Sequence, residues 1–427
     1  MTAVDDSHLP AWIQRDDGGR LVADGVLLES IAREFGTPAY VYSRRAIEQT
    51  FAAFVAALVG RDALLCYAVK ANSSLAVLDL FRRMGAGFDI VSGGELERVL
   101  FTGAAADRIV FSGVGKSTVE IGRALQAGVR CFNVESEAEL ERIDRVAGDL
   151  GRRAPVSIRV NPDVDAATHP YISTGLKRNK FGIAHDRALA AYRRAAQLPN
   201  LSVQGIDCHI GSQITEVAPF LAALDKVLEL VDQLADDGIA LSHLDLGGGL
   251  GIRYVDENPP SPRTLMDAIF DRLDRWRPGG PPPVLFEFGR ALVGNAGVLL
   301  TRIEYLKSNG EHNFAVVDAA MTELLRPTLY EAWHEVVPVQ RSTAVPTHYD
   351  IVGPVCESGD WLARGRLLAV EAGDLLAVLS AGAYAAQMAS NYNTRPLVPE
   401  LMISDGQAVQ IRPRQSLTEI FATERML

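Results

Sequence analysis

Eight short apolar runs, each followed by an amphipathic stretch, restrict the folds open to this chain more than any other feature. Apolar residues in the intervening stretches recur every three or four positions, with charges on the opposite face, as amphipathic helices require. Eight β/α units over roughly 240 residues predict a (β/α)8 TIM-like barrel, whereas a doubly wound open sheet needs fewer strands and a switch point. The runs are 64–69, 88–91, 108–112, 130–134, 155–160, 203–210, 243–246 and 284–288.

The pattern changes after about residue 310. Runs at 313–319, 347–353, 367–384 and 401–414 read as strands joined by Gly, Asp and Pro turns, with little helix between them. We therefore expect a barrel over 41–305 and a C-terminal β domain, sandwich-like or barrel-like, over 306–427. Residues 1–40 precede the first barrel strand, and we expect this segment to pack on the β domain.

Composition excludes several classes of protein. The 42 basic and 53 acidic side chains give a net charge of −11, which argues against a nucleic-acid or anionic-membrane partner. The longest apolar segment is too short for a membrane span, and the N-terminus has acids where a signal peptide has bases. The four cysteines are widely spaced without a C-x-x-C pair, so we expect no zinc site, no disulfide framework and a cytoplasmic location.

Polar residues follow four of the predicted strands, at the barrel end where enzymes of this fold carry their chemistry. Lys70 follows the first strand and His209 ends the sixth. The glycine-rich sequence 247–251 follows the seventh strand, and Glu287 and Arg290 end the eighth. The pattern therefore predicts an amine, an imidazole, a glycine loop, a carboxylate and a guanidinium at one end of the barrel.

These side chains suit pyridoxal phosphate. A glycine loop after strand seven, with an arginine after strand eight, occupies the usual phosphate position of such barrels, although glycines at strand ends are commonly plain turns. A lysine ending a buried strand is costly unless paired or used covalently, and a Schiff base to the cofactor explains Lys70 better than a rim lysine does. Glu287 can then hold the pyridine nitrogen protonated, and His209 can stack on the ring.

The second domain carries weaker signals. Cys356 and Glu357 combine a thiol with a carboxylate in a turn-rich segment, which fits a buried cysteine beside a surface acid as well as it fits a functional pair. Arg326 and Tyr384 are equally open to either interpretation.

The ordered set of motifs resembles the diaminopimelate decarboxylases, a pyridoxal-phosphate family that shares the alanine-racemase-like barrel. The resemblance runs from about Gly36 to Pro396 and includes YAVKAN, FDIVSGGEL, HIGSQI, DLGGGLGI, GRALVGNAGVLLT, LLRPTLY, VGPVCESGD and ASNYNTRP. It also includes RVNPDVDAATHPYISTGLKRNKFGI. This family converts meso-diaminopimelate to L-lysine and carbon dioxide, the last step of bacterial lysine synthesis.

The resemblance implies a role for each matching residue. Lys70 binds the cofactor covalently, His209 stacks on its ring, Glu287 contacts the pyridine nitrogen, and Cys356 is the proton donor. The implied phosphate-end residues are Ser212, Gly247, Gly248, Gly249, Phe288, Gly289 and Arg290. The implied substrate residues are Arg290, Arg326, Tyr330, Glu357 and Tyr384, with Tyr384 also near the cofactor. The family forms homodimers in which Cys356 and Glu357 enter the partner's active site.

Two departures from the family pattern and two alternative functions stay open. Phe288 stands where the family has proline, which predicts looser placement of Glu287 and Arg290, and Ser380 stands where aspartate is usual. A related decarboxylase of ornithine, arginine, carboxynorspermidine or a carrier-tethered glutamate is the first alternative. Arg326 and Glu357 argue against it, because they suit a distal end that carries both a carboxylate and an ammonium. The second alternative is a non-catalytic pyridoxal-phosphate binder.

Overall fold

Two units make up the chain in the computed structural model, which describes residues 6–164 and 179–427. We call them the barrel unit, Phe51–Ile252 with Asn258–Ala291, and the β unit, Met1–Thr50 with Arg253–Glu257 and Leu292–Leu427. Along the chain, the two segments of the barrel unit therefore alternate with three segments of the β unit. The domain limits at residues 41 and 306 stay predictions.

The described N-terminal part supplies strands and helices before the barrel begins. Strands β1 to β3 form a small antiparallel sheet. The elements are β1 (Ile13–Arg15), β2 (Leu21–Ala23), β3 (Val26–Leu27), α1 (Leu28–Phe35), β4 (Ala39–Ser43) and α2 (Arg44–Ala57).

The barrel is closed by eight parallel strands in the part of the chain that the structure describes. The order is β5-β6-β7-β8-β9-β11-β12-β13, and β13 pairs with β5 to complete the circle; β10 adds to β9 outside it. The strands are β5 (Ala63–Ala68), β6 (Gly87–Ile90), β7 (Ile109–Phe111), β8 (Cys131–Val134), β9 (Ala154–Asn161), β10 (Ile183–Ala184), β11 (Leu201–Asp207), β12 (His243–Asp245) and β13 (Val284–Phe288). The predicted TIM-like barrel is confirmed.

Amphipathic helices surround the barrel, and local capping explains several of their starts. Ser117 and Glu120 form a capping box at the start of α5, and Ser92 and Ser136 cap α4 and α6 by accepting backbone N–H groups. The helices are α3 (Leu75–Arg83), α4 (Gly93–Phe101), α5 (Thr118–Ala127), α6 (Glu137–Asp149), α7 (His185–Gln197), α8 (Ala218–Asp236) and α9 (Pro262–Trp276).

The barrel interior is layered by the two-residue period of its strands. Cys66, Val110, Cys131 and Leu285 come from strands on opposite sides and form one buried cluster. Two residues further along three of these strands, the same inward direction brings Ser112, Asn133 and Glu287 together at the carboxyl end. The apolar layer thus supports a polar layer above it.

The β unit contains a mostly antiparallel sheet in the order β18-β17-β15-β14-β4-β20-β21, and β19 pairs with β14 and β16. Strand β4 lies between β14 and β20. Two buried apolar clusters flank this sheet. The remaining elements are α10 (Arg290–Val293), β14 (Gly297–Asn309), β15 (His312–Val317), α11 (Arg326–Tyr330), β16 (Val336–Pro338), β17 (Thr347–Val352), β18 (Trp361–Leu368), β19 (Leu375–Val378), β20 (Glu400–Ser404), β21 (Gln407–Arg412) and α12 (Leu417–Phe421). The predicted β domain is confirmed.

No helix among the described residues has the length and apolarity needed to cross a lipid bilayer.

Candidate active site

Lys70 lies in a single 3-10 turn directly after β5 and points its amine toward the adjacent strand. Its Nζ atom forms an ion pair with Asp89 of β6, whose carboxylate is fully buried. The second oxygen of Asp89, Oδ1, is buried and has no hydrogen-bond partner among the described residues. The ion pair fixes a primary amine at the carboxyl end of the barrel, where the sequence predicts it.

The glycine loop after β12 lies so close to its neighbours that side chains are excluded. A Cβ atom on Gly248 would come 2.0 Å from the carbonyl oxygen of Glu287, and one on Gly249 would come 2.3 Å from that of Gly211. Gly249 also has a φ of +102°, which favours glycine. The loop therefore packs directly against neighbouring backbone and carries no side chains that would keep a phosphate group away from its amides.

Arg290 and Ser212 supply the polar side chains beside this loop. The Nη2 and Nε atoms of Arg290 donate to Ser212 Oγ at 3.0 and 3.3 Å, and Arg290 is only 5% exposed. A buried guanidinium next to a hydroxyl is an effective anion-binding pair. Both residues lie in the barrel unit, together with Gly289.

His209 packs against the loop as a neutral imidazole. The Gly248 N–H donates to its Nδ1 atom at 3.1 Å, so Nδ1 acts as an acceptor. Burial lowers the pKa of His209 well below its ordinary value, and the nearby charges of Arg159 and Lys70 add to this effect. A neutral, flat ring held by the phosphate loop suits stacking on a planar cofactor.

Glu287 occupies the polar layer with Ser112 and Asn133. Asn133 Nδ2 and Ser112 Oγ lie 3.2 and 3.4 Å from its Oε1 atom, so both donate to the carboxyl group. Burial raises the pKa of Glu287 well above its ordinary value, and repulsion from Asp245, Asp89 and other carboxylates raises it further. A cation placed against this carboxyl group would strongly stabilise its ionised form.

Asp207, Asp245 and Glu287 form a buried carboxyl cluster whose oxygen atoms lie within 4.8 Å of one another. Burial is also the main reason why the pKa of Asp245 rises to about 6. Asp245 Oδ1 accepts the Gly247 N–H at 3.0 Å, which ties the cluster to the glycine loop. Arg159 provides a counter-charge, with its Nε atom 3.8 Å from Asp207.

Sequence reasoning did not assign six of these residues: Asp89, Ser112, Asn133, Arg159, Asp207 and Asp245. Each lies at or near the carboxyl end of a barrel strand, which is the same signal that identified Lys70 and Glu287. They were missed because each polar residue sits within an otherwise apolar run.

Phe288 does not face the polar layer. Its ring packs 4.7 Å from Phe54 and 5.9 Å from Phe286, centroid to centroid, and it is 2% exposed. Strand alternation therefore turns Phe288 outward while Glu287 points inward. Only the backbone of Phe288, and not its ring, can therefore contact a cofactor in the barrel.

Replacing Phe288 by alanine is accordingly expected to act on stability. We expect a loss of about 3–5 kcal/mol in the free energy of unfolding, as for other buried aromatic truncations, with little change in cofactor affinity of the folded protein. Denaturant unfolding and cofactor titration measure the two effects. Phe101→Ala, at a position 79% exposed, is the matched control and is expected to be near neutral. A Phe288→Ala protein of normal stability but weakened cofactor binding would contradict this assignment.

The β unit holds the other predicted residues. Arg326 and Tyr330 lie on α11, Cys356 and Glu357 on the loop between β17 and β18, and Tyr384 on the loop after β19. Arg326 is buried, Tyr330 and Tyr384 are half-buried, and Cys356 and Glu357 are exposed.

Two hydrogen bonds and one unusual backbone conformation characterise these loops of the β unit. Thr328 Oγ1 donates to the Gly359 carbonyl at 2.7 Å, which ties α11 to the loop that carries Cys356. Tyr392 donates its hydroxyl to Glu357 Oε1 at 2.5 Å. Tyr384 has a φ of +58°, a strained conformation for a bulky residue that commonly marks a functional position.

Comparison with known proteins connects these features. Residues 44–294 match the family described as pyridoxal-dependent decarboxylase, pyridoxal binding domain. The chain is 58% identical over 411 residues to the diaminopimelate decarboxylase of Pseudomonas fluorescens, covering 96% of this chain and 98% of that one. It belongs to the diaminopimelate decarboxylase family of pyridoxal-dependent decarboxylases. The Vibrio cholerae enzyme is 53% identical over 416 residues, covering 97% and 99%.

Solved structures of the family agree in fold. The diaminopimelate decarboxylase from M. jannaschii in complex with L-lysine matches with a TM-score of 0.93 at 36% identity, covering 98% of each chain. That from Helicobacter pylori, also complexed with L-lysine, matches with a TM-score of 0.88 at 40% identity, covering 93% of this chain and 98% of that one. The alanine-racemase-type architecture expected from the sequence is therefore confirmed.

The barrel residues fit the family's cofactor, pyridoxal phosphate. Gly248 and Gly249 have no side chains to block a phosphate, and the buried Arg290 with Ser212 supplies donors for one. Asp89 Oδ1, which has no hydrogen-bond partner among the described residues, and Glu287, whose pKa is raised, can each accept a proton or pair with a cation. A pyridine ring that carries a proton on its nitrogen supplies the missing positive charge.

Proposed function

We propose that this protein decarboxylates meso-diaminopimelate to L-lysine and carbon dioxide with pyridoxal phosphate as cofactor. The observation that carries the proposal is the set of barrel side chains at one end: the amine of Lys70, the Arg290–Ser212 pair beside the glycine loop and the proton-binding Glu287. Full-length relatives that are named as this enzyme support the choice of reaction.

Bound pyridoxal phosphate supplies the electron sink that takes up the electron pair left behind when carbon dioxide departs. Lys70 Nζ would hold the cofactor covalently. Arg290 and Ser212 would bind its phosphate, and Glu287 would keep a proton at its pyridine nitrogen. Cys356 Sγ delivers a proton to the carbon that lost its carboxylate, or Lys70 does so; either way one C–C bond breaks and one C–H bond forms.

Substrate choice follows from the end of the molecule that does not react. Meso-diaminopimelate carries an ammonium and a carboxylate there, so it needs an anion and a cation in the protein. We assign Arg326 to the carboxylate and Glu357 to the ammonium, with Tyr330 and Tyr384 lining the substrate. A buried arginine left without an anion rejects a diamine precursor such as ornithine strongly.

We propose that the active enzyme is a homodimer, located in the cytoplasm, in which Cys356 and Glu357 serve the partner's barrel. Their exposure on the β unit supports this proposal. The bound partner would cover a thiol that otherwise faces water.

The decisive experiment is carbon dioxide release with product identification by the reconstituted holoenzyme. Meso-diaminopimelate, ornithine, arginine and lysine are offered in parallel. We expect lysine from meso-diaminopimelate and negligible turnover of the other three. Turnover of another substrate would show that Arg326 and Glu357 are misassigned. A normal cofactor spectrum without any turnover would favour the non-catalytic binder.

A subunit-mixing experiment tests the shared active site. Lys70→Ala and Cys356→Ala are each expected to be inactive, but equal mixtures should regain about a quarter of wild-type activity, because random pairing gives half of the dimers one intact site of two. Cys356→Ala alone should keep the cofactor spectrum, and Cys356→Ser, which retains a weak proton donor, serves as its matched control. Mixtures that stay inactive would place Cys356 in its own subunit's site, and an active Cys356→Ala protein would place it outside catalysis.

A further inference from the structure

His334 is a fully buried histidine of the β unit that neither the motifs nor the proposed reaction uses. It lies four residues after α11 and is 0% exposed. Its Nε2 atom is 2.7 Å from Nη1 of Arg326, and its Nδ1 atom is 2.8 Å from the Leu379 carbonyl oxygen. One imidazole therefore joins the guanidinium to the backbone that follows β19.

The two hydrogen bonds determine which ring nitrogen of His334 carries the hydrogen. A carbonyl oxygen can only accept, so Nδ1 carries the hydrogen; a guanidinium can only donate, so Nε2 is the bare nitrogen. His334 is thus a neutral imidazole with one tautomer. Among the common side chains, imidazole has a donor and an acceptor at opposite sides of one rigid ring, which fits this bridging position.

Tyr254 borders the same guanidinium on another side. The Arg326 guanidinium carbon lies 4.6 Å from the centroid of the tyrosine ring, and the His334 ring meets that tyrosine edge-on at 5.3 Å. Tyr254 is itself held in place, since Glu257 Oε2 accepts the N–H groups of residues 254 and 255 at 2.9 and 2.8 Å.

These two neighbours restrict the direction in which the Arg326 guanidinium points. The imidazole accepts one of its N–H groups, and the face of the tyrosine ring attracts its positive charge. A guanidinium binds a carboxylate best when its donors point at both oxygens, so its direction determines how well it recognises a substrate carboxylate. A misdirected guanidinium would weaken recognition of that carboxylate and would leave the chemistry of the barrel unit unchanged.

We propose that His334 is a positioning residue that aims Arg326 at the non-reacting carboxylate of the substrate, and so sets the preference for amino-acid ends over bare amine ends. This inference rests on the proposed function, because it takes Arg326 as the residue that binds the substrate carboxylate. The role of His334 is confined to substrate binding, since His334 acts through Arg326 and touches none of the reacting atoms.

Two histidine variants separate the contacts of the ring. An asparagine amide reaches about as far as Nδ1, so His334→Asn keeps the anchor to Leu379 and loses the acceptor for Arg326. A glutamine amide reaches about as far as Nε2, so His334→Gln can restore the acceptor. His348→Asn, at an exposed position on β17, is the matched control for the substitution itself.

Binding to the holoenzyme gives a readout that does not depend on turnover. L-lysine retains one amino-acid end, whereas cadaverine, the same chain without its carboxylate, does not. Both are titrated against the absorbance of the bound cofactor, and the ratio of their dissociation constants measures carboxylate recognition. In wild-type protein we expect lysine to bind more tightly.

For His334→Asn we expect the preference for lysine over cadaverine to fall by about tenfold to a hundredfold, the usual effect of losing a hydrogen bond to a charged group. The KM for meso-diaminopimelate should rise by a similar factor while kcat stays within about threefold. His334→Gln should recover most of the preference, and His348→Asn should match wild type. If His334→Asn fails to fold, the preference of His334→Gln decides the question.

Three results would overturn the inference. The first is an unchanged lysine preference in folded His334→Asn, and the second is its loss in His334→Gln as well. The third is a fall in kcat with KM unchanged, which would indicate a structural disturbance of the reaction itself. Absence of meso-diaminopimelate turnover in wild-type protein would instead refute the proposed function, so the two failures are distinguishable.

Discussion

Replacing Lys70 by alanine is expected to abolish decarboxylation, with a fall in kcat of about a thousandfold or more, because no other group can hold the cofactor covalently. The visible absorbance of the lysine-bound cofactor should disappear at the same time. Assays of carbon dioxide release and absorbance spectra of the reconstituted protein check both effects.

Lys70→Arg is the matched variant for this prediction. Arginine keeps a cation opposite the buried Asp89 but lacks a nucleophilic amine. We therefore expect Lys70→Arg to unfold at nearly the wild-type temperature and yet to be as inactive as Lys70→Ala. If Lys70→Arg keeps a tenth of wild-type turnover, covalent attachment at this position is wrong and the lysine serves only as a counter-ion.

Glu287→Gln is expected to lower kcat by about a hundredfold to a thousandfold, the usual effect of removing one group that stabilises charge in the transition state. Glutamine keeps the size of the side chain and its contacts with Asn133 and Ser112, but it cannot keep a proton at the pyridine nitrogen. Steady-state kinetics at saturating cofactor isolates this effect from cofactor loss.

The same substitution should change how the stability of the cofactor-free protein depends on pH. Burial raises the pKa of Glu287 in the folded state, so the folded protein binds this proton more tightly than the unfolded chain does. The contribution is fully present below the ordinary pKa of a glutamate, about 4.5, and is lost as pH rises through the raised value. Asp245, with a pKa of about 6, acts in the same direction.

Wild-type apoprotein should therefore lose stability between pH 5 and pH 8, and Glu287→Gln should lose less. Denaturant unfolding at the two pH values measures the difference. Glu229→Gln, at an exposed position on α8, is the control and should follow wild type. A Glu287→Gln profile parallel to wild type would mean that Glu287 is ionised in the folded apoprotein.

The barrel could be predicted from sequence because its physics is local and repetitive. Each apolar run is long enough for one buried strand, and each helix has its own apolar stripe and often its own cap, as at Ser117. The side chains at strand ends followed directly from that assignment. Lys70, Glu287 and Arg290 were identified because barrels of this type carry their functional residues at the carboxyl ends of the strands.

The rest depends on contacts between distant parts of the chain. Nothing near residue 334 in the sequence indicates that its ring bridges Arg326 and the carbonyl of Leu379, 45 residues away. In the sequence, Asp245 likewise looks like an ordinary strand residue. Only the structure shows that its carboxyl group is buried and accepts the Gly247 N–H. The direction of the Phe288 ring was also undetermined, because it depends on which face of β13 turns inward.

The position of β4 in the middle of the β-unit sheet has a consequence for biosynthesis. Its neighbours are β14, about 250 residues later, and β20, about 360 residues later in the chain. While a ribosome makes the protein, neither of these partners is available to Ala39–Ser43 until β14 has emerged, and the second edge of β4 stays unpaired until β20 follows. We therefore expect chaperones to bind nascent chains that end before residue 400.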